Sequence, residues 1–444
     1  MFRRPLFWYL TVALAATTVA TWLSVERGAF EPTAVDSNPF EGIVPVPRRA
    51  PSLLALPPLG TAKSFVPTER TLLIEMSEYA GYAGLVVANG GLRASEHSLF
   101  FRDYGFKVEL SKNEQEGWEA LNQGRLAAML TTADVAALYA PDRPAVIPVL
   151  VGYSRGADAL VVRQGITRFG ELKGRVVATA QFTEAEFLVR YIAKETGMPV
   201  SVLPNATAVP DPSAINLVFA VDGFGACDLL LYELIMNKNS IAGCSAWEPK
   251  TSEVVERSGG AAHILTTNRN LLIVADILAV NAGFAAENPD TMDGLVEGIL
   301  RGNDLVRNRS ESQLIVIADA FGWRREKARH ELRNVYLANL PENVDFFAAD
   351  EGETGSFAHI YEAATEAYGP ALIKSPLDRH QVLDLRPLRK IVDSGKFRNQ
   401  VASIEQFRAL VRESESFERM PAPRPVTDPH KLPVPTRPLA AAPR

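Results

Sequence analysis

Short apolar runs alternate with amphipathic segments along most of the chain. Residues 71–75, 107–110 and 127–130 predict strands, because each run is brief, apolar and bounded by polar residues. Residues 83–99 and 114–123 carry apolar positions at helical spacing and predict helices between those strands. This alternation predicts an α/β fold with mostly parallel sheets.

The same alternation continues in the second part of the chain. Further strands are predicted at 146–151, 159–162, 172–179, 240–246 and 271–280, with helices at 134–139 and 183–196. Residues 286–352 and 356–415 are dominated by helical patterns. No fixed-period repeat is visible, which argues against a solenoid or a propeller.

The N-terminus is typical of an exported protein. Arg3 and Arg4 precede an uncharged stretch from 6 to 25 that is long enough to cross a bilayer. Two interpretations are open, an uncleaved anchor and a cleaved signal peptide with a fair cut site around Ala20. We favour the anchor because the apolar run is long and the cut site is poor. Either way, the body is expected to be exported: held at the periplasmic face of a bacterial inner membrane by the anchor, or secreted to the periplasm if the signal is cleaved.

Proline-rich segments flank the body of the chain. Residues 26–66 contain seven prolines and little periodicity, which predicts a linker that lifts the body off the membrane. Residues 421–444 are also rich in proline and alanine and predict a disordered tail.

Charge and cysteine content narrow the function classes. The 444-residue chain carries 46 basic and 52 acidic side chains, a formal net charge of -6, so nucleic acid is not an expected partner. Its two cysteines, Cys227 and Cys244, are either a disulfide of an exported protein or two buried thiols. Sequence alone leaves both alternatives open.

No enzyme motif is found in the sequence. The six histidines are scattered without metal-ligand spacing, and neither a nucleophile elbow nor a phosphate-binding loop is present. We therefore expect a non-enzymatic protein that needs no cofactor or metal.

Five segments, in order, resemble one known family. They are EYAGYAGLVVA (78–88), LNQGRLAAMLTTAD (121–134), YSRGADALVV (153–162), LKGRVVA (172–178) and WEP (247–249). Together they resemble the nitrate, sulfonate, taurine and thiamine-precursor group of ABC-transporter periplasmic binding proteins. The enzymatic branch of that fold uses a cysteine-rich iron-binding segment, which this chain does not match.

The resemblance implies a type II fold of two α/β lobes joined by two crossing hinge strands. Lobe 1 would comprise 67–153 and 275–354, and lobe 2 would comprise 154–274. Residues 355–420 would form a helical extension beyond that domain. Residues 229–241 are a departure from the family pattern, expected to form a surface helix that a disulfide ties down.

Ligands of such folds bind beyond the carboxyl ends of the strands, where helix N-termini offer free N–H groups. The expected ligand-binding residues are Tyr79, Gly81, Tyr82, Thr131, Thr132, Asp134, Ser154, Asp158, Thr179, Gln181, Thr183, Trp247 and Glu248. Each has a structural alternative: Thr183 and Asp134 as helix caps, the tyrosines as core, and Trp247 with Glu248 as part of a turn.

The leading hypothesis is a membrane-anchored binding component of an ABC importer. It would trap a small polar or anionic solute by hinge closure and deliver it to a permease in the cytoplasmic membrane. The alternative is a membrane-tethered sensor or scaffold that binds another envelope protein, with 355–420 as the contact surface.

Overall fold

The structure, a computed structural model, describes residues 48–400 except 113–116, 143, 205–207, 309, 350–351 and 374–377. The predicted membrane segment 1–25, linker residues 26–47 and the proline-rich tail lie outside the described residues. Within the part of the chain that is described, no helix is both long enough and apolar enough to span a bilayer.

Thirteen strands form two sheets in the described part of the chain. The strands are β1 Arg49–Ala50, β2 Thr71–Glu75, β3 Lys107–Ser111, β4 Ala128–Thr132, β5 Ala145–Ser154, β6 Asp158–Arg163, β7 Val176–Ala180, β8 Val200–Val202, β9 Ile215–Ala220, β10 Gly243–Trp247, β11 Ala262–Thr267, β12 Ala275–Asn281 and β13 Val335–Leu337.

Helices cover the faces of both sheets. The helices are α1 Ala83–Asn89, α2 Leu99–Tyr104, α3 Gly117–Asn122, α4 Ala133–Tyr139, α5 Glu184–Glu195, α6 Gly223–Ile235, α7 Lys250–Arg257, α8 Ala282–Glu287, α9 Pro289–Arg307, α10 Glu311–Phe321, α11 Arg325–Glu331, α12 Leu340–Ala348, α13 Phe357–Leu372 and α14 Arg386–Asp393. Short 3₁₀ turns lie at Ala80–Tyr82, Ala140–Asp142, Phe169–Leu172 and Arg379–Gln381.

Lobe 1 is built on a six-stranded sheet in the order β13-β5-β12-β4-β2-β3. Strands β2, β3 and β4 are mutually parallel, while β12 runs antiparallel to both β4 and β5. Helices α1 and α9 pack together on this sheet and bury much of its apolar surface.

Lobe 2 is built on a seven-stranded sheet in the order β1-β9-β7-β10-β6-β11, with β8 paired to β9. Strands β7, β8, β9 and β10 run parallel to one another, whereas β6 pairs antiparallel with both β10 and β11, and β1 pairs antiparallel with β9. The two lobes therefore have the α/β, two-sheet architecture predicted from the sequence. The prediction of mostly parallel sheets was wrong, because antiparallel pairs in both lobes make the sheets mixed. The chain crosses between the sheets at 155–157 and again at 268–274.

The segment before β2 corrects the predicted linker, because it is part of the folded body from residue 48 onward. Strand β1 pairs antiparallel with β9 of lobe 2, with Arg49 opposite Ala220. The side chain of Gln181, also in lobe 2, accepts a hydrogen bond from the Leu53 N–H at 2.9 Å and donates to the Leu53 carbonyl at 2.8 Å.

The same segment then continues onto lobe 1. The Asn122 amide donates to the carbonyl of Leu59 at 3.0 Å, and the Phe65 N–H donates to the side chain of Asn281 at 3.2 Å. Residues 48–66, called the N-terminal strap below, therefore connect the two lobes a third time. The proline-rich composition suggested a free linker, because each proline lacks a backbone N–H donor. A strand at the edge of a sheet, however, needs only a few such donors for pairing.

Helix α13 corrects the idea of an appended extension. It packs between α4 of lobe 1 and α5 of lobe 2 and buries side chains on both sides. The Tyr368 hydroxyl donates to the carbonyl of Thr183 at 3.1 Å, and Lys194 forms an ion pair with Glu366. The helix is thus a fourth connection between the lobes.

Two local predictions were also wrong. The single helix expected over 83–99 is broken, because Gly90 and Gly91 adopt φ values of 76° and 128° that end α1. The surface helix expected within 229–241 is instead the second half of α6, whose leucines Leu229–Leu231 are buried against the sheet.

Of the two alternatives for the cysteines, the structure contains the Cys227–Cys244 disulfide, which joins α6 to β10.

Candidate functional site

Asp134 lies where strand β4 of lobe 1 passes into helix α4. It is the second residue of that helix, and its side chain is completely buried. Burial raises the pKa of its carboxyl to about 7, although the neighbouring Thr132 hydroxyl and the first helical N–H groups act to lower it. Neither carboxylate oxygen completes a hydrogen bond of normal geometry within the described residues.

A second carboxylate, Asp276, comes from the returning hinge strand. Asp276 stands opposite Thr132 in the register of β12 and β4, so the two side chains share one face of the sheet. The Tyr79 hydroxyl donates to Asp276 at 3.3 Å. Burial, together with the charges of Asp158 and Asp134, raises the Asp276 pKa well above its ordinary value.

The third carboxylate, Asp158, opens lobe 2 directly after the first chain crossing. The Asn268 amide, from the other crossing, donates to it at 2.9 Å. Its second oxygen makes no hydrogen bond of normal geometry in the described residues. Burial raises its pKa to about 6, partly offset by the nearby Ser154 hydroxyl and Asn268, while the charge of Glu248 raises it further.

Asp134, Asp158 and Asp276, called the aspartate cluster below, thus meet between the two lobes, and none is more than 2% exposed. They act on one another electrostatically, and no salt bridge to any of them occurs within the described part of the chain. Three buried acids without a basic neighbour are costly, because desolvation and mutual repulsion both oppose their ionised forms.

Lobe 2 presents further polar groups on the same side as Asp158. In β10 and β6, Trp247 stands opposite Asp158 and Ser245 opposite Leu160, so these alternate residues share a face. In the pairing of β10 with β7, Cys244 stands opposite Ala178, and Ser245 and Thr179 are the next residues of the two strands. The Thr179 and Ser245 hydroxyls and the Trp247 indole N–H are buried and make no hydrogen bond within the residues described.

Aromatic side chains from both lobes surround these groups. Tyr79 and Tyr82 meet edge to face with ring centroids 5.1 Å apart, and Trp247 packs against Phe224 at 5.3 Å. A side chain at Gly81 would place its Cβ 2.2 Å from the Tyr79 ring and 2.9 Å from Asp276. Only glycine therefore permits this approach of the first loop to the cluster.

More carboxylates lie outside the aspartate cluster. The Glu248 side chain accepts from the Ser252 N–H at 3.1 Å and so caps helix α7. Glu331, at the end of α11 in lobe 1, has its pKa raised to about 8 by burial and by the charges of Glu248 and Glu78. Acidic character thus continues from the cluster across the lobe boundary.

Three predicted residues lie apart from the cluster. Strand alternation turns Thr131 to the face opposite Thr132. Gln181 binds the N-terminal strap, as described above, and the Thr183 hydroxyl donates to the carbonyl of Ala180 at 2.8 Å. The structure brings the others together from both lobes: Tyr79, Gly81, Tyr82, Thr132, Asp134, Ser154, Asp158, Thr179, Trp247 and Glu248.

Sequence reasoning missed Asp276, Asn268 and Ser245. Asp276 had a usable signal, since it is a lone charge inside the apolar run 271–280, where a buried acid needs a reason. Asn268 and Ser245 gave no comparable signal, because isolated polar residues of these types are common in turns and strands.

Solved structures with the same architecture are two-lobed periplasmic binding proteins. The periplasmic aliphatic sulphonate binding protein of Escherichia coli matches with a TM-score of 0.52 at 16% identity, covering 71% of this chain and 92% of that chain. The periplasmic nitrate-binding protein of Synechocystis matches with a TM-score of 0.52 at 13% identity, covering 76% and 92%.

A third match is the alkanesulfonate-binding protein of Xanthomonas axonopodis bound to MOPS, with a TM-score of 0.51 at 13% identity, covering 72% and 99%. No protein-family model matches the chain, and no curated protein is significantly similar to it in sequence. The matched structures confirm, at the level of the fold, the resemblance carried by the five sequence segments. All three are named as binding proteins rather than enzymes.

Proposed function

We propose that the protein is the solute-binding component of an importer and closes its two lobes around one small polar molecule. The observation that carries the proposal is the buried set of polar groups between the lobes, several of which have no protein partner in the described residues. Unpaired buried polar groups cost free energy, so proteins retain them where a ligand completes their hydrogen bonds.

Closure explains how such a site works without chemistry. Asp134 and Tyr79 come from lobe 1, whereas Asp158 and Trp247 come from lobe 2. A ligand that touches both groups binds the closed form more tightly than the open form, and its differential affinity shifts the population. The closed form is then the form that a permease in the membrane recognises.

Export and membrane anchoring are part of the same proposal. They are supported by the basic residues and long apolar stretch before residue 26 and by the periplasmic location named for the matched binding proteins. The alternative of an envelope scaffold loses part of its proposed surface, because α13 is buried between the lobes.

A thermal-shift screen tests solute binding. The body of the protein, from residue 48, is mixed with anionic, neutral and cationic solutes, and a ligand at about 100 times its Kd should stabilise it by about 2.7 kcal/mol. Trp247→Ala should abolish the shift, because the indole faces Asp158. Trp118→Ala is the matched control, since Trp118 stacks on Tyr139 in lobe 1 at 4.6 Å.

If no solute of any charge shifts the unfolding temperature, or if Trp247→Ala binds as well as the unchanged protein, the proposal is wrong.

A further inference from the structure

We infer that the solute is a small organic cation, carrying an ammonium or amidinium group that the aspartate cluster receives. This inference rests on the proposed function, since it names the chemical class bound at the same site. It departs from the anionic part of the expectation, which was a small polar or anionic solute.

The charge balance of the site is the first ground. Asp134, Asp158 and Asp276 are buried together, and the charged groups that most affect their pKa values are other carboxylates rather than lysines or arginines. An anion placed there would be repelled by every one of these acids that is ionised, in a medium of low dielectric constant. A cation would instead relieve the mutual repulsion of the three acids.

Hydrogen-bonding capacity is the second ground. An ionised carboxylate only accepts hydrogen bonds, and three of the cluster's oxygens, both of Asp134 and one of Asp158, make none of normal geometry in the described residues. An ammonium has three donors and an amidinium has four, and neither has an acceptor, so either matches these oxygens. The neighbouring hydroxyls of Thr132 and Thr179 can donate or accept and suit further polar atoms of the ligand.

The aromatic walls are the third ground. Tyr79, Tyr82 and Trp247 place aromatic rings beside the carboxylates. Cations are attracted to such ring faces by about 0.5–2 kcal/mol, whereas anions are not.

The arrangement favours an organic cation over a metal ion. No group of three or more acidic, histidine or cysteine side chains in the described residues has the spacing that would hold a metal. Asp134 follows the end of β4, Asp158 follows the first chain crossing, and Asp276 lies within β12. This spread suits a ligand with several atoms.

The test uses ligands of one shape and different charge. Benzamidine, benzamide and benzoate form a planar cationic, neutral and anionic series, and ethylamine, ethanol and acetate form a smaller one. Nitrate, ethanesulfonate, Mg²⁺ and Zn²⁺ alone complete the set. We expect the cation of at least one series to bind at least tenfold more tightly than its neutral and anionic counterparts, measured by calorimetry.

Charge-removing variants identify the receiving groups. Asp158→Asn and Asp134→Asn keep the side-chain shape and should each weaken binding of the cation by about 10- to 100-fold. Asp142→Asn is the matched control, because Asp142 is exposed at the far end of helix α4 and should leave affinity unchanged.

The outcomes separate this inference from the proposed function. Suppose that only an anion, a neutral solute or a metal ion binds tightly, and that Trp247→Ala abolishes this binding. The inference of a cationic ligand would then be wrong, while the proposed binding function would stand. A cation whose affinity is unchanged in both aspartate variants would also overturn the inference. Absence of binding by every solute would overturn both.

Discussion

The carboxyl groups at positions 134, 158 and 276 are buried, and no salt bridge to any of them occurs among the described residues. A protein selected for stability alone would replace them with neutral residues, because uncompensated buried charge is among the most destabilising features known. We therefore expect these positions to weaken the unliganded fold while serving the ligand.

Asp134→Asn should stabilise the unliganded protein above neutral pH. The pKa of Asp134 is about 7 in the folded state and about 4 in an unfolded chain, so folding is favoured by this group at low pH. That contribution is lost progressively as pH rises from about 4 to about 7, at a cost of roughly 2–4 kcal/mol at pH 8. Urea denaturation at pH 5 and pH 8 measures the difference between the variant and the unchanged protein.

The exposed control Asp142→Asn should change stability by less than about 0.5 kcal/mol at either pH. A loss of stability in Asp134→Asn at pH 8 would contradict the prediction, since it would mean that the charged carboxylate has a stabilising partner.

Binding of a cation should tighten as pH rises. With folded pKa values of about 6 and about 7, Asp158 and Asp134 are protonated at pH 5 and ionised at pH 8. Tyr79, Tyr82, Glu248 and Tyr368 also face these groups, and burial raises the pKa values of Tyr79 and Tyr368 well above their ordinary value, so those two stay neutral. A permanently charged ligand should gain at least tenfold in affinity over this range, measured by calorimetry; an affinity that is flat or falls would contradict the assignment.

At this scale the sequence was a partial guide. Tyr79, Asp134 and Trp247 were predictable, because each follows or ends a strand where ligands bind in open sheets. Asp158, the first residue of β6, was expected from its place in the segment YSRGADALVV. Gln181 and Thr183 occupy equivalent positions after a strand. The Gln181 side chain nevertheless hydrogen-bonds to the strap, and the Thr183 hydroxyl donates to the Ala180 carbonyl. Local spacing cannot separate these cases, since the deciding partners lie elsewhere in the chain.

Among the elements, helix α6 and strand β10 are tied by the disulfide. Cys227 and Cys244 are 17 residues apart, and closing a loop of this size stabilises a fold by about 3 kcal/mol in the chain-entropy model. Replacing both cysteines with alanine should lower the free energy of unfolding by that amount, measured in urea without reductant.

Reductant is the control for that experiment. Dithiothreitol should lower the stability of the unchanged protein and leave the double variant unaffected. Equal stability of the two proteins under oxidising conditions would show that the bond does not contribute.

Elements were predictable where one run of residues forms one element. The run 71–75 is β2 in the structure, because its length and apolar character leave no alternative. The run 271–280 was predicted as one strand, but β12 starts only at Ala275. Residues 271–274 form the crossing, and Leu272 has a φ of 50°, so an equally apolar sequence has a different backbone there.

For the whole molecule, four connections between the lobes limit how the protein opens. Two are the chain crossings expected of the fold, and the others are the N-terminal strap and helix α13. The order of the five sequence segments predicted the two lobes. It did not predict the strap or the docking of α13, because both depend on contacts between residues more than 100 positions apart, such as Leu53 with Gln181.

Gln181→Ala should loosen the strap without altering the cluster. It removes two hydrogen bonds to Leu53, worth about 1 kcal/mol in an exposed setting. Limited proteolysis within residues 48–60 should therefore become roughly fivefold faster. Gln164→Ala, at an exposed turn of lobe 2, is the control and should digest at the unchanged rate.

An unchanged digestion rate in Gln181→Ala would mean that pairing of β1 with β9 alone fixes the strap.

The strap also has a consequence for how the chain is made. Residues 49 and 50 pair with residues 220 and 219, and Phe65 bonds to Asn281. More than half of the chain must therefore be synthesised before the whole strap can form its contacts. Contacts this distant in sequence slow folding, since large loops must close before any stabilisation is gained. The strap would therefore leave the ribosome long before its binding partners are synthesised. The nascent chain would lack this connection between the lobes until late in synthesis.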